Sequence, residues 1–218
     1  MIDDHRHRIL EAATRVYAQH GWRGATTRRI AEEAGVNEVT IFRHFGSKDA
    51  LLDAAIVASV TDQESILPAE PVVPESDLFE WAVAKHEELS RKRVMVRQLM
   101  TDAVDRPDVA ACAGHGPNIA AAQLREYVVQ LRRNGWISET NAVQPSEVGA
   151  AVTMLMGAVF SDAMNRDLMP GMFPQPKTET LLAYVRIFLR GLGALPEPSR
   201  KTARTARRES ISSSSITK

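Results

Sequence analysis

Cysteine occurs once in the 218 residues, at Cys112, so neither an intramolecular disulfide nor a cysteine-rich metal site can form. A lone thiol fits a reducing compartment, and a cytoplasmic location is expected. Surplus charge is missing too. The 27 Lys plus Arg balance 27 Asp plus Glu, which excludes a globally basic nucleic-acid binder and leaves room only for a local basic footprint. No stretch reads as an unbroken run of about 18 apolar residues, the length of a membrane span. The residues after Met1 are charged, with no apolar signal core, so neither export nor membrane insertion is expected. Glycine-rich phosphate loops, HExxH and Gly-x-Ser-x-Gly patterns are absent as well.

Few residues remain that could carry catalysis: His86, Cys112, His115, Asp162 and Asp167. His86 stands beside Glu87 and Glu88 and reads as part of a charged helix face. Cys112 and His115 are three apart, but no further cysteine or spaced histidine pair completes a zinc set. No orienting third group or oxyanion site accompanies them. Asp162, Asn165, Arg166 and Asp167 follow an apolar helix and read as its solvated or interfacial end. We therefore expect no enzyme, no catalytic residue, no metal and no cofactor.

What is present is helical periodicity, densest in residues 26–52, TTRRIAEEAGVNEVTIFRHFGSKDALL. Thr26 and Thr27 are capping types ahead of Ile30, Ala31 and Ala34, and Gly35 follows as a helix terminator. Asn37 starts a second short helix in which Ile41 and Phe45, four apart, share a face. Two helices across a tight glycine-containing turn form a helix-turn-helix. Away from Ile41 and Phe45 the second helix presents Val39, Thr40 and Arg43, with Phe42 and His44 on its flanks. Arg43 can donate to guanine O6/N7, Thr40 can bond a base edge, Val39 can touch a thymine methyl, and Glu38 can accept from cytosine N4. Lys48 lies in the first turn of the next helix, where free N–H groups suit a phosphate; Thr26, Thr27 and Arg28 suit the same task at their own helix start.

These residues resemble the N-terminal pattern of the TetR family of transcriptional regulators. The matching pieces are His20-Gly21-Trp22-Arg23-Gly24-Ala25-Thr26-Thr27, Ile30-Ala31, Ala34-Gly35-Val36 and Phe42-Arg43-His44-Phe45-Gly46-Ser47-Lys48. The resemblance implies DNA-backbone contacts for Thr26, Thr27, Phe42, His44 and Lys48, and base reading for Arg28, Glu38, Val39, Thr40 and Arg43. Phe42 stands where the family usually has Tyr, so a phosphate hydrogen bond is lost there and Phe42 is left to pack against sugar. Asn37 stands where Ser or Thr is common and keeps the cap.

Along the chain, Ile9, Leu10, Ala13, Val16 and Tyr17 mark a first helix over Asp3 to Gln19, ended by Gly21, with Trp22 an aromatic plug. Pro68, Pro71 and Pro74 read as a linker, and Arg91-Lys92-Arg93 as a solvated basic surface. Pro107 to Pro117 reads as a short helix in a loop, and Asn118 to Asn134 as an amphipathic helix. Pro145 opens a helix that is apolar most of the way round and must be buried on most sides, and Thr178 to Leu192 forms the last.

The expected fold is all-α, with a three-helix helix-turn-helix head joined to a larger helical bundle. Its divisions are a DNA-binding head (1–50), a connecting helix (51–67), a ligand-binding and dimerisation body (75–194) and a disordered tail (195–218). By resemblance, the last two long helices pair with a second copy in a four-helix bundle, with Met154, Gly157, Ala158, Ser161, Tyr184 and Phe188 at the contact. A homodimer then reads a palindromic operator. The family also implies a pocket for a small, mostly apolar inducer among the body helices; Phe79, Trp81, Val83, Met95, Leu99, Met100, Tyr127 and Leu131 are the candidates to line it, although a residue of each kind is more often ordinary core. A repressor released by that inducer is the expected function. A helical interaction adaptor with a non-functional head is the alternative.

Overall fold

A computed structural model describes residues 2–61, 66–137 and 144–194. The tail expected to be disordered lies outside them. Among the described residues there are ten helices and no β-strand, only an isolated antiparallel bridge between Ile137 and Ala194. The helices divide into two compact units, formed by residues 1–64 with 89–119 and by 65–88 with 120–218.

In the first unit, α1 (Ile2–Gly24) carries Ile9, Ala12, Ala13, Val16 and Tyr17 on its buried side. Its regular part ends at Gly21, whose φ of 64° and ψ of −177° are open essentially only to glycine. α2 (Thr27–Ala34) is capped as its residues demand: the Thr26 side chain accepts from the Arg29 N–H, and Gly35 closes the other end at φ 63°, ψ 40°. α3 (Glu38–Phe45) begins with the Asn37 side chain accepting from the Val39 N–H at 2.9 Å. α4 (Lys48–Thr61) buries Leu51, Leu52, Ala55 and Ile56.

α6 (Arg93–Asp105) and α7 (Pro107–Ala113) belong to this same unit. Met95, Leu99 and Val109 share one buried cluster with Ile9, Tyr17, Ile30, Ile41 and Ile56. The compact unit thus reaches beyond the head and connecting helix read from sequence, because α6 lays its apolar stripe on α1. Lys92, read as part of a solvated surface, donates to the Ser59 carbonyl of α4.

α5 (Pro74–Arg91) opens with proline at its first position, where no N–H is needed. Its larger part lies in the second unit with α8 (His115–Arg133), α9 (Pro145–Asn165) and α10 (Lys177–Gly191). Leu78, Trp81, Leu124, Tyr127, Leu131, Val152, Leu155, Val159, Leu181 and Val185 form one core there. α8 starts two residues after α7 ends, so the loop expected before it is only a joint. α9 is long and apolar enough to cross a membrane by composition. It carries Asp162 fully buried in the fold and packs along α10.

That buried Asp162 corrects the sequence reading. Its Oδ1 lies 3.0 Å from His86 Nε2, and Arg166 grips both carboxylate oxygens at 2.6 Å. The Tyr184 hydroxyl adds a 3.3 Å contact. His86 is only 4% exposed, so it is no charged surface, and Asp162 and Arg166 are no solvated helix end. Pairing explains the burial, because each charge meets an opposite charge or a hydrogen bond. Burial pushes the Asp162 carboxyl up, but the hydrogen bonds and charges of Arg166 and His86 outweigh it and hold the group below the usual carboxylate range. Burial holds His86 below the usual histidine range, against the pull of Asp162 and helped by Lys177 and Arg166. An ionised Asp162 only accepts, so a neutral His86 carries its proton on Nε2.

Candidate nucleic-acid interface

α3 is a helix of eight residues with one fully buried side chain, Ile41. Phe45 and Val36 are half-buried against the same core, and the Arg6 guanidinium lies 5.6 Å from the Phe45 ring centre. Of the rest of α3, Val39 is 72% exposed, Phe42 and Arg43 are exposed, and Glu38, Thr40 and His44 are half-buried. The helix therefore has a single anchored edge and a broad outer face, the arrangement a groove-reading element needs.

Two neighbouring helix starts flank that face. Thr26 is exposed at the start of α2, and its hydroxyl is engaged as a cap. Arg28 is exposed and reaches Glu32 at 3.1 Å, a surface i,i+4 pair worth at most about 0.5 kcal/mol and easily exchanged for a phosphate. Thr27 and Glu38, expected to contact backbone and base, are bonded to each other, the Thr27 hydroxyl donating to the Glu38 carboxylate. That bond ties the first turns of α2 and α3 together. Elsewhere, Arg8 donates to the Ala34 carbonyl at 2.6 Å and so holds the end of α2 to α1.

Lys48 begins α4, and its ammonium donates to the Trp22 carbonyl at 2.6 Å. An ammonium has three donors, so two remain. Trp22 itself is far more than a core plug. Its indole N–H donates to Asp49 at 3.1 Å, its backbone N–H donates to Asp102 on α6 at 3.1 Å, and the Arg106 guanidinium stacks 4.2 Å from its ring centre. The Tyr17 ring meets it edge-on at 6.2 Å. No local signal points to Asp102 or Arg106, which lie some 80 positions from Trp22 and become its neighbours only in the fold.

The residues suggested for an inducer pocket are divided between the two units. Trp81, Tyr127 and Leu131 are buried in the core of the second unit, with Phe79 and Val83 half-buried against it. Met95 and Leu99 belong to the core of the first unit, and Met100 is exposed. Within the second unit, Trp81 keeps a buried indole N–H with no hydrogen-bond partner. The Tyr127 hydroxyl donates to Asp77 at 2.7 Å, and burial with that carboxylate pushes the phenol up. Of the residues suggested for a dimer contact, Met154 is 69% exposed and Gly157 is exposed, while Ala158, Ser161 and Tyr184 are half-buried. Phe188 points into its own core and offers no surface.

Residues 9–55 match the family model described as bacterial regulatory proteins, tetR family. The chain is 26% identical over 188 residues to the HTH-type transcriptional regulator YvkB of Bacillus subtilis, covering 86% of this chain and 96% of YvkB. It is 33% identical over 108 residues to the HTH-type transcriptional repressor AcnR of Corynebacterium glutamicum, a match to 46% of this chain and 54% of AcnR. In fold it is similar to a TetR-family regulator from Mesorhizobium loti, with a TM-score of 0.71 at 20% identity over 89% of this chain and 99% of the other. These proteins are transcriptional regulators rather than enzymes.

Proposed function

Because the chain belongs to the TetR family of bacterial transcriptional regulators, we propose that it acts in the cytoplasm as a homodimeric repressor that leaves a palindromic operator when its body binds a small, mostly apolar inducer. The observation that carries this reading is the outer face of α3, with Val39, Thr40 and Arg43 turned away from the one buried anchor, Ile41. Residues 1–50 form the reading head, with 51–67 connecting it to a body within 75–194. Arg28, Glu38, Val39, Thr40 and Arg43 read bases; Thr26, Thr27, Phe42, His44 and Lys48 hold the backbone, with Asn37 as cap. Glu38 exchanges its bond to Thr27 for a cytosine amine on binding.

A second copy fits against α9 and α10. Met154 and Gly157 on α9 and Ile187 on α10 are exposed, an apolar surface that an isologous contact would cover. Two heads then meet two half-sites about one helical turn apart. For the inducer, the buried and unpartnered Trp81 N–H supports a site in the core of the second unit, since a buried donor without an acceptor is unusual and a ligand oxygen would satisfy it. Release is a population shift, which requires the inducer to bind more tightly to a state whose heads no longer match the half-sites.

Selection of bound sequences from a random duplex library by the full-length protein tests this directly. A palindromic consensus is expected; enrichment of no sequence would favour the adaptor reading. Two substitutions separate the roles. Lys48→Ala should weaken operator and mixed-sequence DNA alike and lower the slope of log K against log salt by about 0.9 for each phosphate no longer neutralised. Unchanged affinity for mixed-sequence DNA would count against the phosphate role. Arg43→Ala should cost about 1–3 kcal/mol at one symmetric pair of operator positions and little at the others. An equal loss on every sequence would remove Arg43 from the base-reading set.

A further inference from the structure

We propose that Asp102, on α6, is a positioning residue for DNA binding that acts through Trp22 on Lys48. The inference rests on the reading of Lys48 as a phosphate contact. At Gly21 the backbone leaves helical geometry, so Trp22 is held by partners outside its own helix. Asp102 takes its N–H, Asp49 takes its indole N–H, and Arg106 covers its ring. The Trp22 carbonyl is thereby fixed in space, and this is the atom that accepts from the Lys48 ammonium.

The Trp22 N–H and C=O belong to different peptide units, so the connection is geometric: fixing Trp22 fixes where its carbonyl points. A lysine side chain has four rotatable bonds, and its head is otherwise disordered in water. Held by one of its three donors, Lys48 offers the other two to a phosphate in an arrangement set before DNA arrives, which removes part of the ordering cost of binding. Burial, together with the neighbouring Asp102 carboxylate, keeps the Tyr17 phenol well above the usual tyrosine range, so it stays neutral beside this group. Gly21 is required for the arrangement on two counts. The first is its φ of 64° with ψ of −177°, a conformation essentially closed to residues with a side chain; the second is slight, since a Cβ there would meet the Gln98 amide of α6 at 2.7 Å, the end of a flexible side chain that can move aside.

A bond that merely holds the fold and one that positions Lys48 differ in a double-mutant cycle. Binding of the full-length protein to a fluorescent mixed-sequence duplex is measured across a salt series for the wild type, Lys48→Ala, Asp102→Ala, Asp102→Asn and the Lys48/Asp102 double alanine variant. Asp102→Ala is expected to weaken binding about two- to tenfold, the cost of ordering one side chain, and to have no further effect once Lys48 is alanine. Asp102→Asn keeps an oxygen for the Trp22 N–H and should restore binding. An equal loss in both backgrounds, or no loss in either, overturns the proposal while leaving the phosphate role of Lys48 intact. A Lys48→Ala variant with unaltered affinity and salt slope overturns both. Should Asp102→Ala not fold, hydrogen exchange of lysine ammonium protons in the unmodified protein decides: the Lys48 signal should exchange more slowly than those of exposed lysines, and equal exchange overturns the proposal.

Discussion

Asp162→Ala is expected to destabilise the second unit by about 3–5 kcal/mol, because it strands a buried partner set rather than a single bond. Asp162 is 0% exposed and is the acceptor for His86, Arg166 and Tyr184 at once. Without it, the Arg166 guanidinium keeps only its 2.9 Å bond to the Pro174 carbonyl and its place 5.5 Å from the Phe173 ring centre. Arg166 retains some access to water and can turn outward, which sets the cost nearer the lower end of that range. Asp162→Asn keeps an acceptor and the shape, so its cost should be smaller. Urea unfolding followed by circular dichroism measures both, and an alanine variant with the wild-type midpoint would sink the assignment.

Acid should change the stability gap between the wild type and Asp162→Ala in two opposed steps. Asp162 titrates lower in the fold than in the unfolded chain, so its contribution is full above the ordinary carboxylate range and is lost as pH falls through its folded value, below about pH 4. His86 is held neutral by burial. The unfolded chain therefore takes up a proton there first, and stability falls as pH drops below about 6.5. In Asp162→Ala the histidine loses the partner that raised its pKa, so its own decline continues to lower pH and widens the gap below about pH 6.5, against the narrowing that protonation of Asp162 brings below about pH 4. A stability difference that stayed constant from neutral pH to pH 3 would contradict this picture.

The head was legible because its signals are local. Thr26, Gly35 and Asn37 act within a turn of where they stand, and Ile30, Ile41 and Leu52 sit on faces that the 3.6-residue period identifies without any partner in view. The helices of the body were legible for the same reason, including the buried stripe Leu124, Tyr127, Val128 and Leu131 of α8. The polar pairings were not. His86 and Asp162 are 76 positions apart, and Trp22 and Asp102 are 80. Each looks like an ordinary surface residue or core plug within its own helix. Periodicity sorts residues by face but does not say which face meets which. For that reason Met95 and Leu99, correctly apolar and at helical spacing, belong to a different core from Trp81 and Tyr127.

Ile41→Ala is expected to weaken binding to every DNA sequence, whereas Val39→Ala, two residues away, should leave the fold intact and change only what is read. Eight residues cannot hold a helix in water by propensity alone, so α3 depends on tertiary packing. Ile41 is its one fully buried side chain, at 0% exposure. Removing that side chain costs about 2–5 kcal/mol, a large share of the roughly 5–15 kcal/mol that holds a domain together. The loss falls on the packing that orients Thr40 and Arg43, so operator and mixed-sequence affinity should drop together while the unfolding midpoint of the first unit falls. Val39 is 72% exposed, and its truncation should change stability by less than about 0.5 kcal/mol. Its effect should appear as relaxed preference at one thymine-containing pair of operator positions, where the base methyl no longer meets an apolar side chain. An Ile41→Ala protein with wild-type stability and affinity would mean that α3 is held by something other than its buried face. A Val39→Ala protein whose preferences match the wild type at every position would take Val39 out of the reading surface and leave Thr40 and Arg43 to carry it.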